Sequence, residues 1–182
     1  MRHKVLITRP KMPNDDATGH TYYWAEPVIK ECEMLGYDIQ DLKKDEVAYE
    51  TVSYSLSSYN PHLYIHFGHG CVANLIGQQR CIVTNGTQNY SITENYLTKY
   101  GYRLDDDIAC DIICGMPSNV QLLKDKIVVA YACHSAKRLG VCAMKNGAKA
   151  YAGFNDYLIF IVDNRGSEDI FKEPILKFSY SI

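Results

Sequence analysis

His62-Leu63-Tyr64-Ile65-His66-Phe67 runs directly into Gly68-His69-Gly70, and this stretch decides how the rest of the chain is read. It is bounded by Asn60-Pro61 on one side and by glycine on the other, and at six residues it is too short for an independent helix. Aromatic and β-branched side chains occupy both alternating faces, so the segment reads as a strand buried on both sides. A second run of the same kind, Lys126-Ile127-Val128-Val129-Ala130-Tyr131-Ala132, ends in Cys133-His134-Ser135.

Working outward, Lys4-Val5-Leu6-Ile7-Thr8, closed by Arg9-Pro10, reads as a first buried strand. Residues 10–21 read as a polar loop. From Tyr22 to Leu35, Trp24, Val28, Ile29, Cys32 and Leu35 recur at helical spacing, with Gly36 at the position of a C-cap. A strand is expected over 37–42, and a helix over 45–58 that Asn60-Pro61 stops. Asn85-Gly86 predicts a small hairpin within 79–93. Asp105-Asp106-Asp107 is expected to open a short apolar helix ending near Gly115. A helix is expected over 135–145, a strand over 149–154 and a final helix over 167–180. Strands alternating with helices give an α/β fold: a three-layer sandwich around a mostly parallel central sheet, with a small β-hairpin insertion. Residues 1–182 read as one domain, its motif-bearing core over about 4–160.

The chain has 182 residues, 47% of them apolar and 22% charged, a composition that supports a real core. Nineteen basic residues against 21 acidic ones leave no electrostatic footprint for nucleic acid or an anionic membrane. No run approaches a membrane span, and the first residues carry no signal-peptide pattern. Seven cysteines at irregular spacing in a chain this long read as reduced thiols in a cytoplasmic protein, at least one of them kept for chemistry.

Ligands of open α/β sheets bind at the carboxyl ends of the parallel strands. His69 follows one apolar strand there and Cys133 follows another. If those strands are neighbours, an imidazole and a thiol leave the same sheet edge. Cys133 also stands just ahead of an expected helix N-terminus, whose free N–H groups favour a thiolate. These are the parts of covalent acyl transfer.

Tyr64-Ile65-His66-Phe67-Gly68-His69-Gly70 followed by Tyr131-Ala132-Cys133-His134-Ser135, and then by Asn146-Gly147-Ala148-Lys149-Ala150-Tyr151-Ala152-Gly153, resembles the caspase-like (clan CD) cysteine peptidases. That group includes metacaspases, separases, gingipains and the CHAT proteases. The resemblance implies a thiol protease: a cysteine endopeptidase hydrolysing protein substrates through a Cys-His dyad and a thioester acyl-enzyme. Cys133 would attack the scissile carbonyl, His69 would protonate the leaving amine, and the backbone N–H groups of Gly70 and Cys133 would hold the oxyanion. No third acidic partner is evident. Where metacaspases carry an acidic residue two positions before the cysteine, this chain has Tyr131, so Tyr131 is expected to shape the substrate pocket. Asp156, or the neutral Asn155, is then the candidate for binding the side chain ahead of the cut, with a lean to Arg or Lys.

Other readings compete. On the same fold, a transpeptidase or amidase is the enzymatic rival, and an inactive caspase-like binding or scaffold module is the non-enzymatic one. His66 reads as a satisfied sheet histidine, and His134 as a capping or surface residue. His66, His69 and Cys71 lack a matching Cys-x-x-Cys pair, so no metal site is assigned. Cys110 and Cys114 read as core packing. Calcium, which activates some metacaspases, would fall at Asp105 to Asp107, although an acidic first helical turn accounts for that run. The expected partners are a protein or peptide substrate and a regulatory protein or a second copy of the chain, with no nucleic acid and no membrane.

Overall fold

In a computed structural model, the described residues are 2–12, 15–81, 108–115 and 119–158, with side chains left undescribed at 79–81 and 108–112. Strand β1 (Lys4–Arg9) is buried at every position but its first. It leads into helix α1 (Asp16–Met34), strand β2 (Asp38–Lys43) and helix α2 (Tyr49–Tyr54), which continues as a wider π turn over Ser55–Tyr59. Strands β3 (Leu63–Phe67), β4 (Asn74–Cys81), β5 (Ile108–Gly115) and β6 (Ile127–Tyr131) follow. A π turn at Ala136–Gly140 then runs into helix α3 (Val141–Lys145) and strand β7 (Ala150–Ala152).

Five strands form one sheet in the order β2-β1-β3-β6-β7, and every pairing is parallel. This doubly wound arrangement has its switch point between β1 and β3. Side chains alternate across the sheet. Val5, Ile7, Ile65, Phe67, Val129 and Tyr131 meet Trp24, Val28 and Ile29 of α1 on one face. On the opposite face, Leu6, Tyr64, Val128 and Ala130 meet Val52, Leu56, Leu75, Leu123 and Leu139. The three-layer α/β sandwich expected from the alternation is therefore the fold.

Two elements differ from the sequence reading. Residues 108–115, expected as a short helix, form strand β5, paired antiparallel with β4 as a separate two-stranded ribbon. Cross-strand pairing with 74–81 overrides a local pattern that also fits one face of a short helix. The segment read as a loop up to Thr21 is already helical from Asp16. Asp15 caps it in an extended conformation, its carboxylate accepting from the Ala17 N–H at 3.2 Å. The cap satisfies an orphan donor of the first turn, which allows turn-forming residues such as Thr18 and Gly19 to be helical. At the other end Gly36 takes φ +74°, as expected of a residue ending a helix in the left-handed region. The expected hairpin at Asn85-Gly86, the Asp105 to Asp107 run and the C-terminal helix lie outside the described residues.

The path from β1 to the α1 cap is anchored from the ribbon. Gln78 accepts from the Lys11 N–H at 3.0 Å and donates to the Lys11 carbonyl at 2.9 Å. At the β1 end, Arg9 is buried, with Nε and Nη2 on the two carboxylate oxygens of Asp41 at 2.9 and 2.6 Å. It also pairs with Glu26 and lies 4.5 Å over the Tyr22 ring. Its charge is thus fully committed inside the fold.

Candidate functional site

Strands β3 and β6 are direct neighbours, with Phe67 opposite Tyr131. The residues that follow them, His69 and Cys133, line one cavity of about 230 Å³ together with Ala17, Thr21, Gly68 and Leu158. The sheet edge brings these residues together because parallel pairing in register forces both chains to turn away at the same level.

The close approach of the two strand ends depends on Gly70. A Cβ there would stand 2.7 Å from the Ala132 Cβ and 2.9 Å from the Cys133 carbonyl oxygen, separations that real side chains do not tolerate. The hydrogen bonds flanking the Gly70–Leu75 bridge run from Ile76 N–H to the His69 carbonyl and from Cys71 N–H to the Asn74 carbonyl. The Gly70 N–H takes no part in them. Gly70→Ala is expected to lower stability by about 1–3 kcal/mol and to separate the loops carrying His69 and Cys133. Thermal unfolding together with Cys133 alkylation rates checks both effects.

The structure supplies an acidic partner that sequence reading missed. Asp15 Oδ2 lies 2.7 Å from His69 Nε2. The same oxygen accepts from the Thr18 hydroxyl at 2.8 Å, and Oδ1 takes the Ala17 N–H. Burial works against the charge on Asp15, but the bonds from Thr18, His69 and Ala17 together outweigh it and hold the carboxyl below its usual value. An ionised carboxylate only accepts, so His69 Nε2 carries a proton toward Asp15, and a ring with one proton has its lone pair on Nδ1. Asp15 followed by an acidic first turn is a helix-start signal in the sequence, but no local pattern indicates that the cap reaches His69, 54 positions away.

Beneath this pair lies a buried polar chain. The His66 ring is fully buried, with Nδ1 2.9 Å from the Thr8 hydroxyl and Nε2 3.1 Å from the His69 carbonyl. Because the carbonyl can only accept, Nε2 donates to it, Nδ1 accepts from Thr8, and the Tyr64 hydroxyl lies 3.2 Å from Thr8 Oγ1. Burial pushes the His66 pKa down to about 4, so the ring is neutral near pH 7. This is the satisfied sheet histidine expected from the sequence. It also fixes the backbone that carries His69.

The turn after β6 places His134 at φ +53°, a left-handed conformation that histidine adopts more readily than bulky apolar residues. Its N–H donates to the Asp156 carbonyl at 3.0 Å, and its ring packs edge-on against Tyr157 at 4.3 Å. The strap 154–158 thereby folds over the turn, and the Leu158 N–H lies 3.3 Å from Cys133 Sγ.

Of the three expected substrate contacts, Tyr131 is corrected, and Asp156 and Asn155 are exposed. Tyr131 is only 5% exposed, stacked on Phe67 at 4.7 Å and beside Phe154. Strand alternation turns it into the α1-side core, and it does not shape the cavity. Asp156 is 83% exposed, its carboxylate accepting from the Tyr157 N–H and standing 4.0 Å from His134 Nδ1. Asn155 is likewise exposed. Neither is among the residues that line the cavity. Among the described residues no group of three or more His, Cys, Asp or Glu side chains is placed to hold a metal. No helix there is long and apolar enough to cross a membrane.

No family model matches the chain, and no curated protein matches it. A similar solved structure is the signal receiver domain of a protein described as a Luxo repressor from Vibrio parahaemolyticus. It is 12% identical with a TM-score of 0.35, and the match covers 99% of this chain and 94% of that one. The comparisons do not return the family expected from the motifs: no family model or curated protein matches, and the solved structure is described as a receiver domain. The identification with caspase-like cysteine peptidases is withdrawn, and the enzyme class and protease labels taken from it go with it. At this similarity the receiver domain carries no statement about what the present chain does.

Proposed function

We propose that Cys133 is a reactive thiol that takes the acyl group of a peptide amide, with His69 as its proton carrier and Asp15 holding the histidine. The supporting observation is the 2.7 Å Asp15–His69 contact on the wall of the cavity that Cys133 also lines. In the proposed step the Cys133 proton passes to His69 Nδ1 and the sulfur bonds to the carbonyl carbon. The C–N bond then breaks, and the leaving amine departs with the proton from His69. Water, activated by the same ring, releases the acid and restores the thiol. On this reading the Gly70 N–H holds the developing oxyanion. The partner on this reading is a protein or peptide.

A second reading, a module that binds such a partner without turnover, is favoured by the Leu158 N–H already engaged with Cys133 Sγ. The deciding experiment is alkylation by iodoacetamide, followed at Cys133 by mass spectrometry in wild type, Cys133→Ala and His69→Ala. The acyl-transfer reading expects labelling to vanish in the first variant and to slow by about 10²-fold in the second. Equal rates in wild type and His69→Ala would leave only the binding module.

A further inference from the structure

We propose that the strap 154–158 is an autoinhibitory cover on Cys133: Leu158 holds the sulfur in a resting state, and the ring pair of His134 and Tyr157 is the latch that sets how often the sulfur is free. This inference rests on the acyl-transfer reading and adds a regulation to that site.

The root of the strap is fixed. The Phe154 N–H donates to Ser135 Oγ at 3.3 Å, and the Phe154 carbonyl accepts from the Ala136 N–H at 3.0 Å. The Phe154 ring packs beside Tyr131 against the core. Beyond this root the hold is slight. Asn155, Asp156 and Tyr157 are exposed, and Leu158 packs only partly against the core. This end is brought over the turn after β6 by the His134 N–H on the Asp156 carbonyl, the edge-on His134 and Tyr157 rings, and the Leu158 N–H on Cys133 Sγ at 3.3 Å. Closure also has a cost. His134 Nδ1 is buried with no hydrogen-bond partner among the described residues, and Asp156 Oδ1 stands 4.0 Å from it. A segment with little buried area and an unsatisfied buried group beneath it opens locally, well before the fold does.

Closed, the strap stands in the way of the chemistry. Leu158 lines the cavity that Cys133 and His69 share, and a carbonyl that is to meet both must enter there. The Leu158 N–H also engages a sulfur lone pair. The sulfur therefore reacts from the open fraction, and its observed rate falls in proportion to that fraction. An edge-on aromatic pair is enough to shift such an equilibrium by about 3- to 10-fold.

The test follows iodoacetamide labelling of Cys133 by mass spectrometry in the full chain, with the buried core thiol Cys32 as the control for global unfolding. Tyr157→Ala removes an exposed ring. His134→Asn removes its partner and keeps a residue that tolerates the left-handed φ of +53°. Each is expected to speed Cys133 labelling about 3- to 10-fold while Cys32 labelling stays unchanged. The double variant is expected to match the single ones and not their product, because all three remove one contact. Labelling at the wild-type rate in Tyr157→Ala overturns the cover. A slower rate overturns it too, and makes the Leu158 N–H a donor that favours the thiolate. Cys32 labelling that rises in step, or a double variant that multiplies the single effects, overturns the latch. His69→Ala in each background keeps the two readings apart. Unchanged rates that still fall on loss of His69 sink the cover alone. Faster rates that ignore His69 sink the acyl-transfer reading and the autoinhibitory role with it.

Discussion

Asp15→Asn is expected to slow Cys133 acylation by on the order of 10²-fold or more while the protein stays folded. The carboxylate accepts from His69 Nε2 at 2.7 Å, which leaves the ring's lone pair on Nδ1. An amide in its place can present its NH₂ to Nε2 instead, and the ring proton then moves to Nδ1, the position that takes the proton from sulfur in the proposed step. Asn is as good an N-cap as Asp, so α1 keeps its start and the loss cannot be assigned to unfolding. Peptidyl vinyl sulfone rates at Cys133, measured beside circular dichroism and the thermal midpoint, check both halves. A folded Asp15→Asn protein that reacts at the wild-type rate would reduce Asp15 to a helix cap.

Acidification is expected to remove about 3 kcal/mol of stability between pH 6.5 and 4, through His66 alone. Burial places its folded pKa at about 4 against an ordinary value of 6.5. In that window the unfolded chain binds a proton that the folded chain refuses. The contribution is present in full above pH 6.5 and is lost as pH falls toward 4. Asp15 acts in a different window. Its folded pKa lies below the ordinary 3.8, so its contribution is present above that value and is lost only at lower pH. Urea unfolding across the pH series separates the two. His66→Gln is expected to flatten the profile between pH 6.5 and 4 while lowering stability overall, because the Thr8 hydroxyl and the His69 carbonyl lose their ring partner. An unchanged slope in that variant would assign the acid sensitivity elsewhere.

Some of this was legible locally. The strands ending at Phe67 and Tyr131 were recognisable because each is a short, doubly apolar run closed by small or reactive residues, and their alternation with helices indicated a covered parallel sheet. Strand β5 was not, since Ile108 to Gly115 is apolar enough for either state and only its partner at 74–81 settles it. The start of α1 was obscured by the residues that suit a cap and discourage a helix interior. The place of Tyr131 before Cys133 suggests a pocket residue, yet odd and even positions of a strand face opposite layers, and its ring lies in the stack with Phe67.

Sequence alone determined the α/β class and the two strand ends that carry His69 and Cys133, because strand periodicity and chain termination are short-range properties. It did not determine the family, and the expected peptidase kinship did not survive comparison. Tertiary structure alone decided that Asp15 holds His69, that Gly70 lets the two strand ends close, and that Tyr131 is buried in the core on the α1 side. Each of these depends on where residues tens of positions apart come to rest, and parallel crossovers set that through packing that no local pattern encodes.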